Sequence, residues 1–345
     1  MNSFRDTYLY NYKDTLDEII SKIKDFLLTE TYKKIFKDED KLQYINHFTF
    51  LDILSNTKKF YTKRIIYTNK KERIVFEPSV ELYLIQKFIL YNYLIQRDSS
   101  LSENLTSYRK NYSVKNNAIK HINKRTIIKI DIKNFFPTIN RYRIYKCLLN
   151  LNIEEKKAYL FSRLLSYQDK LILGTPSSPF LSNLVSRKLD LRIEGYIKAY
   201  QKSKVHISYT RYSDDMTFSF NQRINTQKFI SFIYQIILDE GFVPNYEKTQ
   251  IISSNHKQKV TGIIVNRDTI SVSKKERDDV EFIIKLWLNY SKDIALQKYN
   301  KIFKKNYTNE RDFHQILKSK ILYIKFINDE QGKKLIRKFE EIKIG

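Results

Sequence analysis

The sequence predicts an α+β fold, and three observations carry that expectation. Short apolar strands end on aspartates: Thr126-Ile-Ile-Lys-Ile130 runs into Asp131, and two strands flank Asp214-Asp215. Amphipathic helical patterns lie between those strands. The last quarter of the chain is helical in pattern throughout. In order, the centre reads strand–Asp, helix, strand–Asp-Asp–strand, helix, strand, which packs helices on one face of a small antiparallel sheet.

Charge narrows the function before any motif is considered. The 345 residues hold 63 Lys and Arg against 38 Asp and Glu, a formal net charge of +25. Such a field favours phosphate-rich partners, nucleic acid above all or an anionic membrane surface. The 26 Tyr and 22 Phe offer rings that can stack on bases. Cys147 is the only cysteine, which excludes a disulfide framework and a thiolate zinc site. The five histidines are scattered without metal-ligand spacing. No run of about 18 apolar residues and no basic head before an apolar stretch is present, so a cytoplasmic protein with no membrane partner is expected.

Residues 1–57 are slightly acidic, with 8 Lys/Arg and 10 Asp/Glu, and Leu16, Ile19, Ile20, Ile23 and Leu27 recur at helical spacing. Residues 58–125 reverse the balance, 15 basic against 5 acidic. There Arg64-Ile-Ile-Tyr67 and Arg73-Ile-Val-Phe76 read as two strands joined through Asn69-Lys-Lys71, with a helix over Val80–Ile95 after them. A basic hairpin tip can hold a triphosphate or a template backbone, and equally can be a solvated turn. Gly174-Thr-Pro-Ser-Ser-Pro179 opens a helix with an apolar face through Leu181, Leu184, Leu189, Ile193 and Ile197. Ser178 is its expected N-cap, and Pro179 suits the first turn. Phe229, Phe232, Ile233, Ile236 and Ile237 mark a further helix, ended by Gly241. Asn245-Tyr-Glu-Lys-Thr249 is expected as a loop and Val260–Asn266 as a strand. From residue 271, Val280, Ile283, Ile284, Trp287 and Leu288 form one helical face and Phe313, Ile316, Leu317, Ile321 and Ile324 another. That segment has 18 basic against 11 acidic residues, so its helices can bury one side and lay the other on a duplex backbone.

Chemistry enters with the acids. Asp214 and Asp215 stand where a hairpin turns, without Gly, Asn or Pro, between flanks apolar enough to be buried. An acidic turn is most simply a solvated one, and Asp131 alone is most simply a helix cap. Two carboxylates held in an apolar setting, however, repel each other unless a cation neutralises them. With Asp131 added, the three acids are the parts of a two-metal phosphoryl-transfer site.

In this order and rough spacing the motifs resemble those of bacterial reverse transcriptases, the retron type most closely. Asp131-Ile-Lys-Asn-Phe-Phe-Pro-Thr-Ile139 resembles the first catalytic motif of the palm, and Gly174-Thr-Pro-Ser-Ser-Pro-Phe-Leu-Ser-Asn183 the nucleotide and template loop after it. Tyr212-Ser-Asp-Asp215 is similar to the aromatic-X-Asp-Asp hairpin, and Gly241–Thr249 to the next motif, with its lysine at Lys248. Asn117-Ala-Ile-Lys-His121 and Val260-Thr-Gly262 resemble two elements that set retron enzymes apart from intron-encoded and diversity-generating relatives. The likeness runs from about residue 60 to 270. Leu173 stands where many relatives have Gln, and Ser213 where Ala is more usual. The glycines common ahead of the Asn-Ala-X-X-His element are missing, with Tyr108 and Asn111 nearby.

The resemblance implies a right-hand polymerase. Residues 1–57 would be a helical N-terminal extension, 58–130 the fingers and an RNA-contacting segment, 131–270 the palm with its small antiparallel sheet, and 271–345 a basic helical thumb. The implied reaction is RNA-directed DNA synthesis with two Mg²⁺ ions, held by Asp131 and Asp214 with Asp215 in support. Arg73 and Lys71, with Lys70 beside them, would hold the dNTP; Phe136 would be a steric gate against a 2′-OH. Gly174 would let backbone approach the incoming base pair, and Lys248 would donate a proton to the leaving pyrophosphate. Asn117 and His121 would shape the RNA-binding surface, and Val260, Thr261 and Gly262 would lie near the primer strand. Retron membership further implies a structured noncoding RNA as template and primer, a 2′,5′-branched RNA–DNA product, antiviral defence and an effector protein. Two rivals stay open: another bacterial defence polymerase, protein-primed or template-independent, and a non-catalytic RNA-binding scaffold.

Overall fold

A computed structural model describes residues 2–29, 46–68, 71–201, 205–307 and 309–341. Helices α1 (Asn2–Leu27) and α2 (His47–Ser55) lead into an antiparallel hairpin of β1 (Tyr61–Thr68) and β2 (Lys71–Pro78). The predicted strands there are each longer than their apolar cores, and the joining Asn69 and Lys70 lie outside the described residues. Ser79 caps α3 (Val80–Ile89), which runs on through a π turn (Leu90–Leu94) and a 3₁₀ turn (Ile95–Ser100), so the chain keeps the expected path but not the α pitch. Next come α4 (Val114–Ile119), β3 (Thr126–Ile132), the single turn α5 (Phe135–Thr138), α6 (Arg141–Asn150) and α7 (Glu155–Leu164). Then follow α8 (Ser178–Val185), α9 (Arg187–Gln201), β4 (Ile207–Tyr212), β5 (Asp215–Phe220), α10 (Thr226–Asp239) and β6 (Pro244–Ser253). The small hairpin of β7 (Lys259–Val260) and β8 (Ile263–Ile264) precedes four helices: α11 (Lys274–Asn289), α12 (Lys292–Phe303), α13 (Glu310–Ile327) and α14 (Asp329–Glu340).

The central sheet has the order β4-β5-β3-β6 with antiparallel neighbours throughout. Alternation along Met216–Phe220 predicts a half-buried strand, yet Thr217 and Ser219 are as inaccessible as Phe218. One face of β5 packs Phe218 and Phe220 edge-on against Phe229 of α10, at 5.3 and 5.1 Å between ring centroids. The other face meets His121, whose ring nitrogens lie 2.7 Å from Ser219 Oγ and 2.7 Å from Thr210 Oγ1. Ser219 and, on the neighbouring strand, Thr210 are buried because a buried imidazole satisfies them.

Two apolar cores result. The main one runs from Leu16 to Phe242 and takes in the face of α1. The second joins Val260, Ile263, Val265 and Val272 to α11–α14, where Trp287 and Phe313 stack 4.6 Å apart. Phe232 and Leu288, expected on buried faces, are exposed, and Phe232 instead stacks on Tyr196.

Three expected elements differ. The long helix after Gly174 breaks at Ser186, where the Ser186 and Ser182 hydroxyls both bond back to preceding carbonyls, a habit that bends helices. The cap position falls on Ser177 rather than Ser178, and the first helical N–H, that of Ser178, is met from outside the cap by Thr175 Oγ1 at 3.1 Å. Asn245–Thr249 is not a loop but part of the edge strand β6, and residues 260–266 form only the two-residue strands of a hairpin turning at Thr261-Gly262.

Candidate active site

Sheet register brings the acids together. Asp131 on β3 is paired directly with Asp215 on β5, and the Ile132 N–H donates to the Asp214 carbonyl at 3.1 Å, drawing the β4–β5 turn onto the end of β3. That turn is a two-residue loop, Ser213-Asp214, between the paired Tyr212 and Asp215. Ser213 has φ of 61°, a positive value at the first loop position that matches the twist of the flanking strands. A serine holds this conformation because three of its atoms are gripped. Its N–H donates to Ser107 Oγ at 2.8 Å, its carbonyl accepts from Arg211 Nη1 at 2.8 Å, and its hydroxyl accepts from Tyr108 at 3.2 Å.

Each grip is itself anchored. The carbonyl of Ser107 accepts from Asn183 Nδ2 on α8 at 2.9 Å. Arg211, with no exposed surface, is clamped by Asp190 of α9 through bonds of 2.7 and 2.6 Å, and the Tyr209 hydroxyl donates to the same carboxylate at 2.9 Å. A charge buried this deeply stands only when paired and hydrogen-bonded, and here it is both. The motifs in the sequence point to none of Asp190, Arg211 and Ser107. An Arg amid the strand Ile207–Tyr212 is the available signal, since a buried Arg demands an acid.

Electrostatics tie the cluster together. Burial and then the neighbouring Asp215 and Asp131 hold the Asp214 carboxyl above the usual range. Burial also raises Asp215, with Asp131 adding to it and Lys129 and Lys248 opposing. The Lys248 ammonium sits 2.9 and 3.0 Å from the two oxygens of Asp131, which also accepts from Asn245 Nδ2 at 2.8 Å. Its hydrogen bond to Asp131 raises the Lys248 pKa. Both partners reach Asp131 from β6, the strand expected as a loop. Among the described residues no three acidic, His or Cys side chains already close into a metal cage. The donor set still fits a hard divalent cation: it is three carboxylates, two of them raised by burial and then by their acidic neighbours, and an ammonium already occupies the third.

The other expected residues fall into distinct places. Arg73 is exposed on β2, near enough for its charge to act on Tyr108. Lys71 opens β2, but its side chain, like Lys70, lies outside the described residues. Phe136 is 7% exposed and meets Phe135 edge-on. Gly174 has φ of 105°, and a Cβ there would stand 2.5 Å from the carbonyl oxygen of Phe76. Its bareness serves the close approach of β2, fixed by the Phe76 N–H bond to the Leu173 carbonyl at 2.9 Å. Asn117 and His121 lie beneath the surface. Asn117 bridges Thr106 and Thr261, and His121 bridges β4 and β5, so both shape neighbouring segments from behind. Val260 is buried, and Thr261 and Gly262 turn with φ of 46° and 88°.

Residues 58–265 match the family model described as reverse transcriptase (RNA-dependent DNA polymerase). The chain is 31% identical to the retron Ec86 reverse transcriptase of Escherichia coli over 64% of its own length and 67% of that protein's. It is 25% identical to the retron Mx65 reverse transcriptase of Myxococcus xanthus over 77% and 61%, and 27% identical to the retron Ec73 reverse transcriptase of E. coli over 72% and 87%. Mixed helices around small antiparallel sheets are the fold of a right-hand polymerase, and this chain belongs to the retron-type bacterial reverse transcriptases, which are RNA-directed DNA polymerases.

Proposed function

We propose that this enzyme copies a structured noncoding RNA into DNA from a 2′-OH within that RNA, giving a branched RNA–DNA product that serves antiviral defence with an effector protein. The observation that carries the polymerase reading is the meeting of Asp131, Asp214 and Asp215 at one end of the sheet. Family membership supports the priming mode and the biological setting.

In the reaction the primer oxygen bonds to the α-phosphorus of a dNTP. The bond from that phosphorus to the bridging oxygen breaks, pyrophosphate leaves, and the primer hydroxyl gives up its proton. Asp131 and Asp214 would hold Mg²⁺, with Asp215 in support; when bound, the ions stabilise the attacking and leaving oxygens. Arg73 and Lys71 would bind the triphosphate, and Phe136 would bar a 2′-OH. Lys248, protonated and next to the acids, is placed to pass a proton to pyrophosphate. The Ser107–Ser213–Arg211 grips keep the hairpin acids oriented while charge moves.

The test is purified enzyme with the noncoding RNA encoded beside it and dNTPs. The expected product is DNA joined to RNA, shortened by RNase but not freed by protease. Asp214→Ala and Asp215→Ala should each abolish it. A protein-linked or untemplated product would replace this reading with the rival polymerase; synthesis surviving both variants would remove the assigned site.

A further inference from the structure

A cavity of about 770 Å³ opens on the palm where α6, the start of α9 and the end of α10 meet, and Arg97, Arg143, Lys146, Arg187 and Lys188 line it. None of the catalytic acids or expected dNTP contacts is among its walls. Its two acids, Asp239 and Glu240, are already matched: Arg192 pairs with both, at 2.7 and 2.8 Å, and Lys188 reaches Glu240 at 3.2 Å. The three arginines are instead held by carbonyls. Arg97 donates to Leu151 at 3.0 Å, Arg187 to Ser100 at 2.8 Å, and Arg143 to Gly241 and Glu240 at 3.0 and 2.9 Å. A carbonyl orients a guanidinium without cancelling its charge, so these forks are fixed in direction and still cationic. Lys146 is exposed beside them.

Fixed guanidinium forks spread over separate elements match a run of phosphates better than a single anion. We infer that this cavity takes the sugar–phosphate backbone of the enzyme's own RNA, outside the polymerase cleft, as a second anchoring surface. The inference rests on the proposed RNA-copying function and extends it.

The experiment compares the full-length wild type with Lys146→Glu and with Arg97→Ala/Arg187→Ala. Two probes are used: the labelled noncoding RNA, titrated over a series of salt concentrations, and a short RNA–DNA hybrid primer-template that fills only the cleft. Both variants should bind the long RNA at least tenfold more weakly, with the slope of log K against log salt shallower by about 0.7–0.9 for each phosphate the variant no longer neutralises. Extension of the short hybrid should be unchanged, which also reports an intact fold. Unaltered affinity and slope for the long RNA overturn the inference, as does a variant defect seen with poly-Glu peptide but not with RNA. A wild type that binds the long RNA through this cavity but extends no hybrid would instead overturn the polymerase reading and leave the anchoring surface standing.

Discussion

Replacing Asp190, Tyr209 and Arg211 together separates two roles that a single substitution confounds. Arg211 has no exposed surface and Asp190 only 1%, and they meet through bonds of 2.7 and 2.6 Å. Asp190→Ala alone would strand a buried guanidinium, at a cost of about 3–5 kcal/mol. Set against a total stability of roughly 5–15 kcal/mol, that variant loses so much order that its inactivity would say nothing about catalysis. The triple variant Asp190→Leu, Tyr209→Phe, Arg211→Met removes the charges and the hydroxyl at once, and such exchanges run from neutral to about 4 kcal/mol stabilising. What it cannot restore is the 2.8 Å bond from Arg211 to the Ser213 carbonyl. A hydrogen bond from a charged donor contributes about 1.5–3 kcal/mol. If that energy holds the acidic turn in its reactive position, kcat falls roughly tenfold to hundredfold while the melting temperature is kept. Thermal unfolding and single-dNTP incorporation on an RNA–DNA hybrid measure the two quantities. A triple variant as stable and as fast as wild type would refute the positioning role.

Two other perturbations follow from the same geometry. Gly174→Ala puts a Cβ 2.5 Å from the Phe76 oxygen at φ of 105°, adding about 1–3 kcal/mol of backbone strain; because Arg73 rides on the same strand, KM for dNTP should rise severalfold, and an unchanged KM would unlink that strand from the nucleotide. Burial drops the His121 pKa to about 3, below its unfolded value, so the unfolded chain binds the extra proton and stability falls on acidification by about 1.4 kcal/mol per pH unit between about 6.5 and about 3. Chemical denaturation of His121→Gln across that range should show a correspondingly flatter slope than wild type.

Legibility from sequence followed burial. Strands β3 and β5 and helix α10 were readable because their apolar residues face a core with the right period, and the acids stood out against that background. Strand β6 was not, since an edge strand exposed along Tyr246–Gln250 carries no apolar alternation. Lys248 and Asn245 therefore read as loop residues, and their bonds to Asp131 had no basis in pattern. The clamp on Ser213 escaped for a different reason: Ser107 and Asp190 lie far from it in sequence, and only the packed fold brings Ser107 to its N–H and Asp190 to the Arg211 that holds its carbonyl. His121 was recognisable as a motif residue, but whether its ring faces RNA or the sheet depends on Thr210 and Ser219, which alternation assigns to the solvent side.

Two segments that depart from the family pattern touch each other. Tyr108 and Asn111 lie in the segment where the resemblance leads one to expect glycines, and both adopt the positive φ that glycine would allow, 59° and 66°. Ser213 stands where alanine is more usual, and the atom it adds, Oγ, is the one that the Tyr108 hydroxyl meets at 3.2 Å. A tyrosine at left-handed φ costs about 1–3 kcal/mol, and fixing its hydroxyl on the acidic turn offsets part of that strain. The two residues should then be energetically coupled. In a double-mutant cycle of Tyr108→Phe and Ser213→Ala, each single variant is expected to slow dNTP incorporation about as much as the pair, with a coupling of about 0.5–1.5 kcal/mol. Strictly additive effects would mean that the Tyr108–Ser213 bond does not couple the two residues and that the turn is held by Ser107 and Arg211 alone.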